Sequence, residues 1–182
     1  MAERVRADAL RNRERLLEVA TAAFASGEDQ VTLEAIARRA GVGIGTLYRH
    51  FPSREALTEA VYRTELAEVA AAATQLADQH PPAIALRRWM DRYAEFVATK
   101  RGMAESLRVM LDSGAVLRSD TMASIVGAVD LLLAAGVAEG SLRADVRAED
   151  VVSSLLGIFL TSGSSEQAQR MLDLLAAGVA AR

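Results

Sequence analysis

The sequence predicts an all-α protein in two parts, a small three-helix domain followed by a larger helical bundle. Three observations carry this. Ala, Leu, Glu and Arg dominate a chain of 182 residues that has only three prolines and 4% aromatics, and these are good helix formers. Apolar residues recur at helical spacing, with no alternating strand pattern and no repeat. Residues 32–56 read as a short amphipathic helix, a glycine-bearing turn and a second short helix that stops before Pro52, the layout of a helix-turn-helix.

Residues 1–7 are polar and expected to fray. A first helix is predicted over about 8–25, with Leu16, Leu17, Ala20 and Phe24 on one face and Gly27 as a stop signal. Thr32 is placed to cap the second helix, although Ala35 precludes a full capping box. Leu33, Ile36 and Ala37 face inward, Gly41 breaks the helix and Val42 plugs the turn. The third helix covers about 43–50, and Leu47 and Phe51, four apart, anchor one of its faces. Ser53 caps a long fourth helix, about 53–78, with Glu55 where the dipole favours an anion.

The stretch Asp78-Gln79-His80-Pro81-Pro82 ends that helix. A fifth helix follows over about 83–98, then a shorter one over 100–111, broken near Ser113-Gly114. Another is expected over about 116–135, closed by Gly136, with a turn from Gly140 to Asp145. Asp150 opens an apolar helix to about Thr161, and the last helix covers about 166–180. The domains are drawn at 1–52 and 53–182.

Composition excludes several kinds of chemistry. There are no cysteines and two histidines, so thiolate nucleophiles, disulfides and cysteine-ligated zinc are ruled out, and neither a metal nor a cofactor is expected. No Gly-x-Ser-x-Gly, Walker or Rossmann fingerprint appears. Asp145, Glu149 and Asp150 cluster but read as loop and helix-start charges. The first residues begin no apolar signal region, and no stretch reaches the roughly 20 apolar residues of a membrane span, so a cytoplasmic protein without a membrane partner is expected.

The net charge of −3 is unevenly spread: residues 1–63 hold 10 Arg against 9 acids, and residues 64–182 hold 11 basic residues against 15 acids. Arg4, Arg6, Arg11, Arg13 and Arg15 crowd the first fifteen positions. DNA affinity needs a local basic footprint and not a basic whole.

The third helix carries the strongest functional signal. Once Leu47 and Phe51 are turned inward, Gly43, Ile44, Gly45, Thr46, Tyr48, Arg49 and His50 remain. A solvated face usually carries Glu, Lys and Gln, but here no acid occurs from Val42 to Arg54, as a helix beside phosphates requires. Gly43 and Gly45 let the helix start approach a duplex closely. Thr46 can donate to a phosphate or a base edge, and Ile44 either contacts a thymine methyl or packs beside Leu47. Tyr48 and His50 suit phosphates, with a structural role as the alternative for Tyr48. Arg49 reaches a guanine or the backbone, and Thr32 and Arg54 clamp the backbone on either side.

The string VTLEAIARRAGVGIGTLYRHFPSREAL, residues 31–57, closely resembles the DNA-binding signature of the TetR family of bacterial repressors. Ala-Gly-Val, Gly-Thr-Leu-Tyr, His-Phe and Arg-Glu-Ala-Leu fall in register, and the resemblance covers about residues 8–60. It implies an all-α homodimer, each subunit with a three-helix DNA-binding domain and a larger helical domain for ligand binding and dimerisation. It assigns base and phosphate contacts to Thr32, Ile44, Gly45, Thr46, Tyr48, Arg49, His50 and Arg54. Ile44 departs from the polar residue or lysine of many members, and Glu34 from the basic residue that some carry.

A helix-turn-helix dimer reads two half-sites about 34–36 Å apart, or a multiple of that. The last two helices are the candidates for its interface, through Val152, Leu155, Leu156, Phe159, Met171, Leu172, Leu175 and Val179, because a helix apolar nearly all round needs cover on several sides. The alternative is that this pair is the subunit's own core. Trp89, Tyr93, Phe96, Met103, Leu107, Met110, Met122 and Ile125 are candidates for an apolar effector pocket, with plain core as the competing reading. The expected function is a ligand-responsive repressor on a palindromic DNA operator, with an unknown small-molecule effector. The alternatives are a helical small-molecule-binding module and a metabolic enzyme, neither binding DNA.

Overall fold

The computed structural model describes residues 2–25, 31–99 and 120–181. Among the described residues there are eight helices and no strand: α1 (Ala2–Ala25), α2 (Leu33–Arg39), α3 (Ile44–His50), α4 (Arg54–Gln79), α5 (Pro82–Thr99), α6 (Asp120–Glu139), α7 (Ala148–Thr161) and α8 (Ser165–Val179). The expected stop at Gly27, the helix over 100–111, the break at Ser113-Gly114 and the pocket candidates Met103, Leu107 and Met110 lie outside the described residues.

Two compact units are present, and the division falls inside α4, after Thr64. In the first, α1, α2 and α3 pack on one another around Leu16, Ala20, Phe24, Ile36, Leu47 and Phe51, joined by Leu57 and Val61 from the start of α4. Local signals explain the helix starts. The Thr32 hydroxyl accepts from the Ala35 amide at 3.2 Å and the Ser53 hydroxyl from the Ala56 amide at 3.2 Å, each satisfying one of the orphan donors of a first turn. The start of α1 differs from expectation: the helix begins at Ala2 and not near residue 8. Nothing in Ala2–Asp8 breaks a helix, and Asp8 pairs with Arg11 one turn on.

In the second unit the main helix pairs are α5–α6, α6–α7 and α7–α8, with α5 also meeting α7 and α8. Trp89 and Met90 are fully buried, and the Trp89 indole donates to the Val69 carbonyl at 2.8 Å. The Arg87 guanidinium bridges helices, pairing with Asp91 on α5 and with Asp173 on α8 at 2.5 Å. By length and composition Met122–Glu139 would suffice to cross a membrane; Ile125, Val129 and Leu132 are fully buried, the duty of a core helix.

Gly136 does not close α6, as the sequence suggested. The helix runs to Glu139, and Gly140, at φ +84°, takes the left-handed conformation that ends it. Gly136 serves packing instead. A Cβ there would lie 2.8 Å from the Leu142 Cβ and closer still to its branch. The absent side chain lets Leu142 seat on the helix, and its amide donates to the Gly136 carbonyl at 3.1 Å. A single bridge between Leu142 and Ala180 then ties this turn to the end of α8. The α7 start also shifts, from Asp150 to Ala148; Glu149 and Asp150 then lie in its first turn, where the dipole favours acids.

Candidate nucleic-acid interface

The turn between α2 and α3 is built from backbone bonds. The Gly41 amide donates to the Arg38 carbonyl at 3.1 Å and the Val42 amide to the Ala37 carbonyl at 3.0 Å. Gly41 sits at φ +68°, a conformation that side chains resist. The chain thereby reverses in two residues and sets α3 against α1 and α2. Leu47 is fully buried and Phe51 nearly so, as their spacing predicted.

The opposite face of α3 is turned outward. Ile44 is 38% exposed and Tyr48 46% exposed, so the alternatives of burial for Ile44 and of a structural tyrosine are not the arrangement seen. Gly45 and Arg49 are exposed, and Thr46 and His50 half-buried. Gly43 caps the helix at φ −69°, ordinary for any residue, and nothing in the protein lies within 4 Å of a Cβ placed at Gly43 or Gly45. Neither backbone conformation nor internal crowding therefore requires glycine at these two positions. Thr32 is exposed beside its capping bond.

Several arginines have work inside the protein. The Arg13 guanidinium lies 5.4 Å from the Phe51 ring centre, and Arg15 Nη1 is 3.5 Å from the Ala40 carbonyl that ends α2. The Arg49 Nε donates to the Gly45 carbonyl at 3.2 Å. Arg54 is half-buried, donates to the Val31 carbonyl and lies 5.5 Å from the Phe24 ring centre. Sequence reasoning read this cluster as a footprint and missed the bracing. An arginine as the first residue of α4, against the helix dipole, was the available signal.

Glu55, next along, has its carboxyl held below the usual carboxylate range by the Ser53 hydroxyl, its own backbone amide and nearby Arg54.

The remaining candidates lie in the second unit. Trp89, Tyr93, Phe96, Met122 and Ile125 are all buried. Tyr93 stacks on Trp89 with ring centres 5.8 Å apart, and meets Phe96 at 6.1 Å and Phe159 at 5.6 Å. These side chains pack on one another as core. On α7 and α8, Val152, Leu155, Leu172 and Val179 are buried within the subunit. Leu156, Phe159, Met171 and Leu175 are half-buried, whereas Leu160 and Leu174 stand 70% and 74% exposed. These two most exposed leucines are not among the eight residues chosen for the interface from the sequence. Asp145 is held by Arg143 at 2.9 and 2.7 Å, a loop ion pair.

A three-helix unit that turns one short helix outward, joined to a helical bundle, defines a helix-turn-helix regulator. Residues 16–61 match the family described as bacterial regulatory proteins, tetR family, and residues 81–181 match the SbtR-like transcriptional regulator C-terminal domain. The chain is 42% identical to the TetR transcriptional regulator SCO0520 from Streptomyces coelicolor, over 93% of this chain and 98% of that one, with a TM-score of 0.71. It is 32% identical to a TetR transcription regulatory protein from Mycobacterium vanbaalenii, over 97% and 99%, with a TM-score of 0.69. It is also 38% identical over 63 residues to the HTH-type transcriptional regulator SAB2452 of Staphylococcus aureus (strain bovine RF122 / ET3-1). That match spans about a third of the curated relative's length, 34% of each protein. The chain belongs to the TetR family of transcriptional regulators, with a helix-turn-helix DNA-binding domain; the family's members are regulators and not enzymes.

Proposed function

We propose that this protein is a cytoplasmic homodimeric repressor that lays α3 in the major groove of a palindromic operator and releases it when a small molecule binds the C-terminal domain. One observation carries the DNA reading. The outward face of α3 combines two glycines that the fold does not require with exposed Ile44 and Tyr48, in a stretch free of acids from Val42 to Arg54. Such a face suits a close, negatively charged surface. Gly43 and Gly45 admit the duplex, and Ile44 meets a base methyl. Thr46, Tyr48, Arg49, His50 and Thr32 contact phosphates or base edges.

The functional boundary lies between residues 52 and 53, ahead of α4. The dimer forms through α7 and α8. Exposed Leu160 and Leu174 support this, as do Gly157 and Gly178, whose open surroundings permit close helix approach. An effector that loosens the aromatic core around Tyr93 changes the spacing of the two α3 helices through α4. Coupling of about 1–3 kcal/mol weakens operator binding roughly 5- to 150-fold.

The test is a band shift with the DNA upstream of the protein's own gene. Retarded complexes that Arg49→Ala and Tyr48→Ala each weaken by on the order of 1–3 kcal/mol are expected. Unchanged affinity in both variants rejects the contact assignments, and no binding by the native protein at low salt rejects the reading itself. Adding candidate apolar ligands to the complex tests the effector response.

A further inference from the structure

The first residue of α4 is a poor place for a cation. Unpaired amides make a helix N-terminus partly positive, Ser53 already caps it, and an acid follows at Glu55. Arg54 nevertheless stands there, half-buried. Its planar guanidinium lies over the ring of Phe24, which is 6% exposed on α1, and it donates to the carbonyl of Val31, which is 7% exposed. Val31 directly precedes Thr32, the cap of α2. One side chain therefore joins the end of α1, the start of α2 and the start of α4. From α2 the two-residue turn at Gly41 leads straight into α3, so a shift of α2 is passed on to the reading face.

We infer that Arg54 is a positioning residue for α3, acting through Phe24 and Val31, and not a phosphate contact. A phosphate contact needs the guanidinium in the open, where it releases counterions from the duplex. Here it engages a ring face and a backbone carbonyl together, a pair of contacts that the planar fork meets at once and a single ammonium, one point charge on a shorter reach, meets less well. The inference rests on the DNA-binding reading above.

The two explanations separate in a salt series. Full-length native protein, Arg54→Leu, Phe24→Leu, the double variant and Arg54→Lys are titrated into a labelled duplex from upstream of the protein's own gene. Affinity is read by fluorescence anisotropy at several salt concentrations, below each variant's unfolding temperature. Arg54→Leu is expected to weaken binding roughly tenfold while the slope of log affinity against log salt stays at the native value. Phe24→Leu should weaken binding in the same way, and the double variant no more than the worse single one. Arg54→Lys keeps the charge but loses the fork that reaches Phe24 and Val31 together. It should also weaken binding at unchanged slope, and it serves if Arg54→Leu fails to fold.

A slope shallower by about 0.9 in Arg54→Leu marks a lost phosphate contact and overturns the inference. So does native affinity in either Arg54 variant, which would leave the side chain a merely structural brace. Failure of the native protein to bind any duplex at low salt is a different result: it removes the DNA reading on which the inference stands.

Discussion

Gly45→Ala should make this protein more stable and a worse DNA binder. Gly45 is the second residue of α3 and nothing in the protein approaches within 4 Å of the site a Cβ would take. The methyl group therefore costs nothing internally and removes backbone freedom from the unfolded chain. In a helix interior this substitution gains about 0.5–1 kcal/mol; in a first turn the lower figure applies, about 0.5 kcal/mol, or roughly 1–2 °C in melting temperature for a chain of this size. Against a duplex the same methyl stands between the helix backbone and its partner. Relieving such an overlap costs about 1–3 kcal/mol, which corresponds to roughly 5- to 150-fold weaker binding.

Thermal unfolding by circular dichroism and anisotropy titration on one preparation read both numbers. Gly127→Ala is the matched control: it also has open surroundings but lies on α6, so it should gain stability with affinity unchanged. A purely structural role for Gly45 would lower stability and affinity together. If Gly45→Ala binds the duplex as tightly as the native protein, close approach at this position is wrong and the reading of the α3 face goes with it.

Gly136→Ala should behave oppositely to Gly127→Ala on the same helix, losing up to about 2 kcal/mol in urea unfolding. The clash with Leu142, whose Cβ would be 2.8 Å away, outweighs a helix-propensity gain of about 1 kcal/mol; a stabilised variant would refute the packing account. Tyr62 is buried and its hydroxyl pushed up from 10.0 to about 12. The folded state thus holds the proton longer, and the stability it contributes is full below pH 10.0 and lost progressively as pH rises towards 12, by about 2 kcal/mol at the upper end. Tyr62→Phe should flatten that alkaline decline, and an unaltered pH profile of unfolding would contradict the assignment. Leu174→Glu, on the exposed face of α8, should shift the protein from dimer to monomer in analytical ultracentrifugation with its helicity kept; an unchanged mass would place the interface elsewhere.

The parts of this molecule legible in the sequence are those decided within a turn or two of chain. The Thr32 and Ser53 caps each rest on a bond to an amide three residues away. The Leu47–Phe51 anchor follows from four-residue spacing, and the Gly41 turn from the one residue type that tolerates its φ. Misjudged boundaries, such as Ala2 for α1 and Glu139 for α6, show the limit of that reading: a polar segment or a lone glycine ends a helix only if its surroundings agree.

By itself, then, the chain determined an all-α architecture, a helix-turn-helix and the inward anchors Leu47 and Phe51 of α3, because periodicity and capping are short-range chemistry; the exposure of Ile44 and Tyr48 came only with the structure. Tertiary structure alone decided which apolar residues of α7 and α8 turn inward, leaving Leu160 and Leu174 outside. It also decided that Phe159 closes on Tyr93, and that Arg54 reaches Val31, 23 positions back. An apolar stripe states only that a face is buried, and a guanidinium only that it is charged. What covers the one and neutralises or stacks on the other depends on segments far away in sequence, brought near by folding.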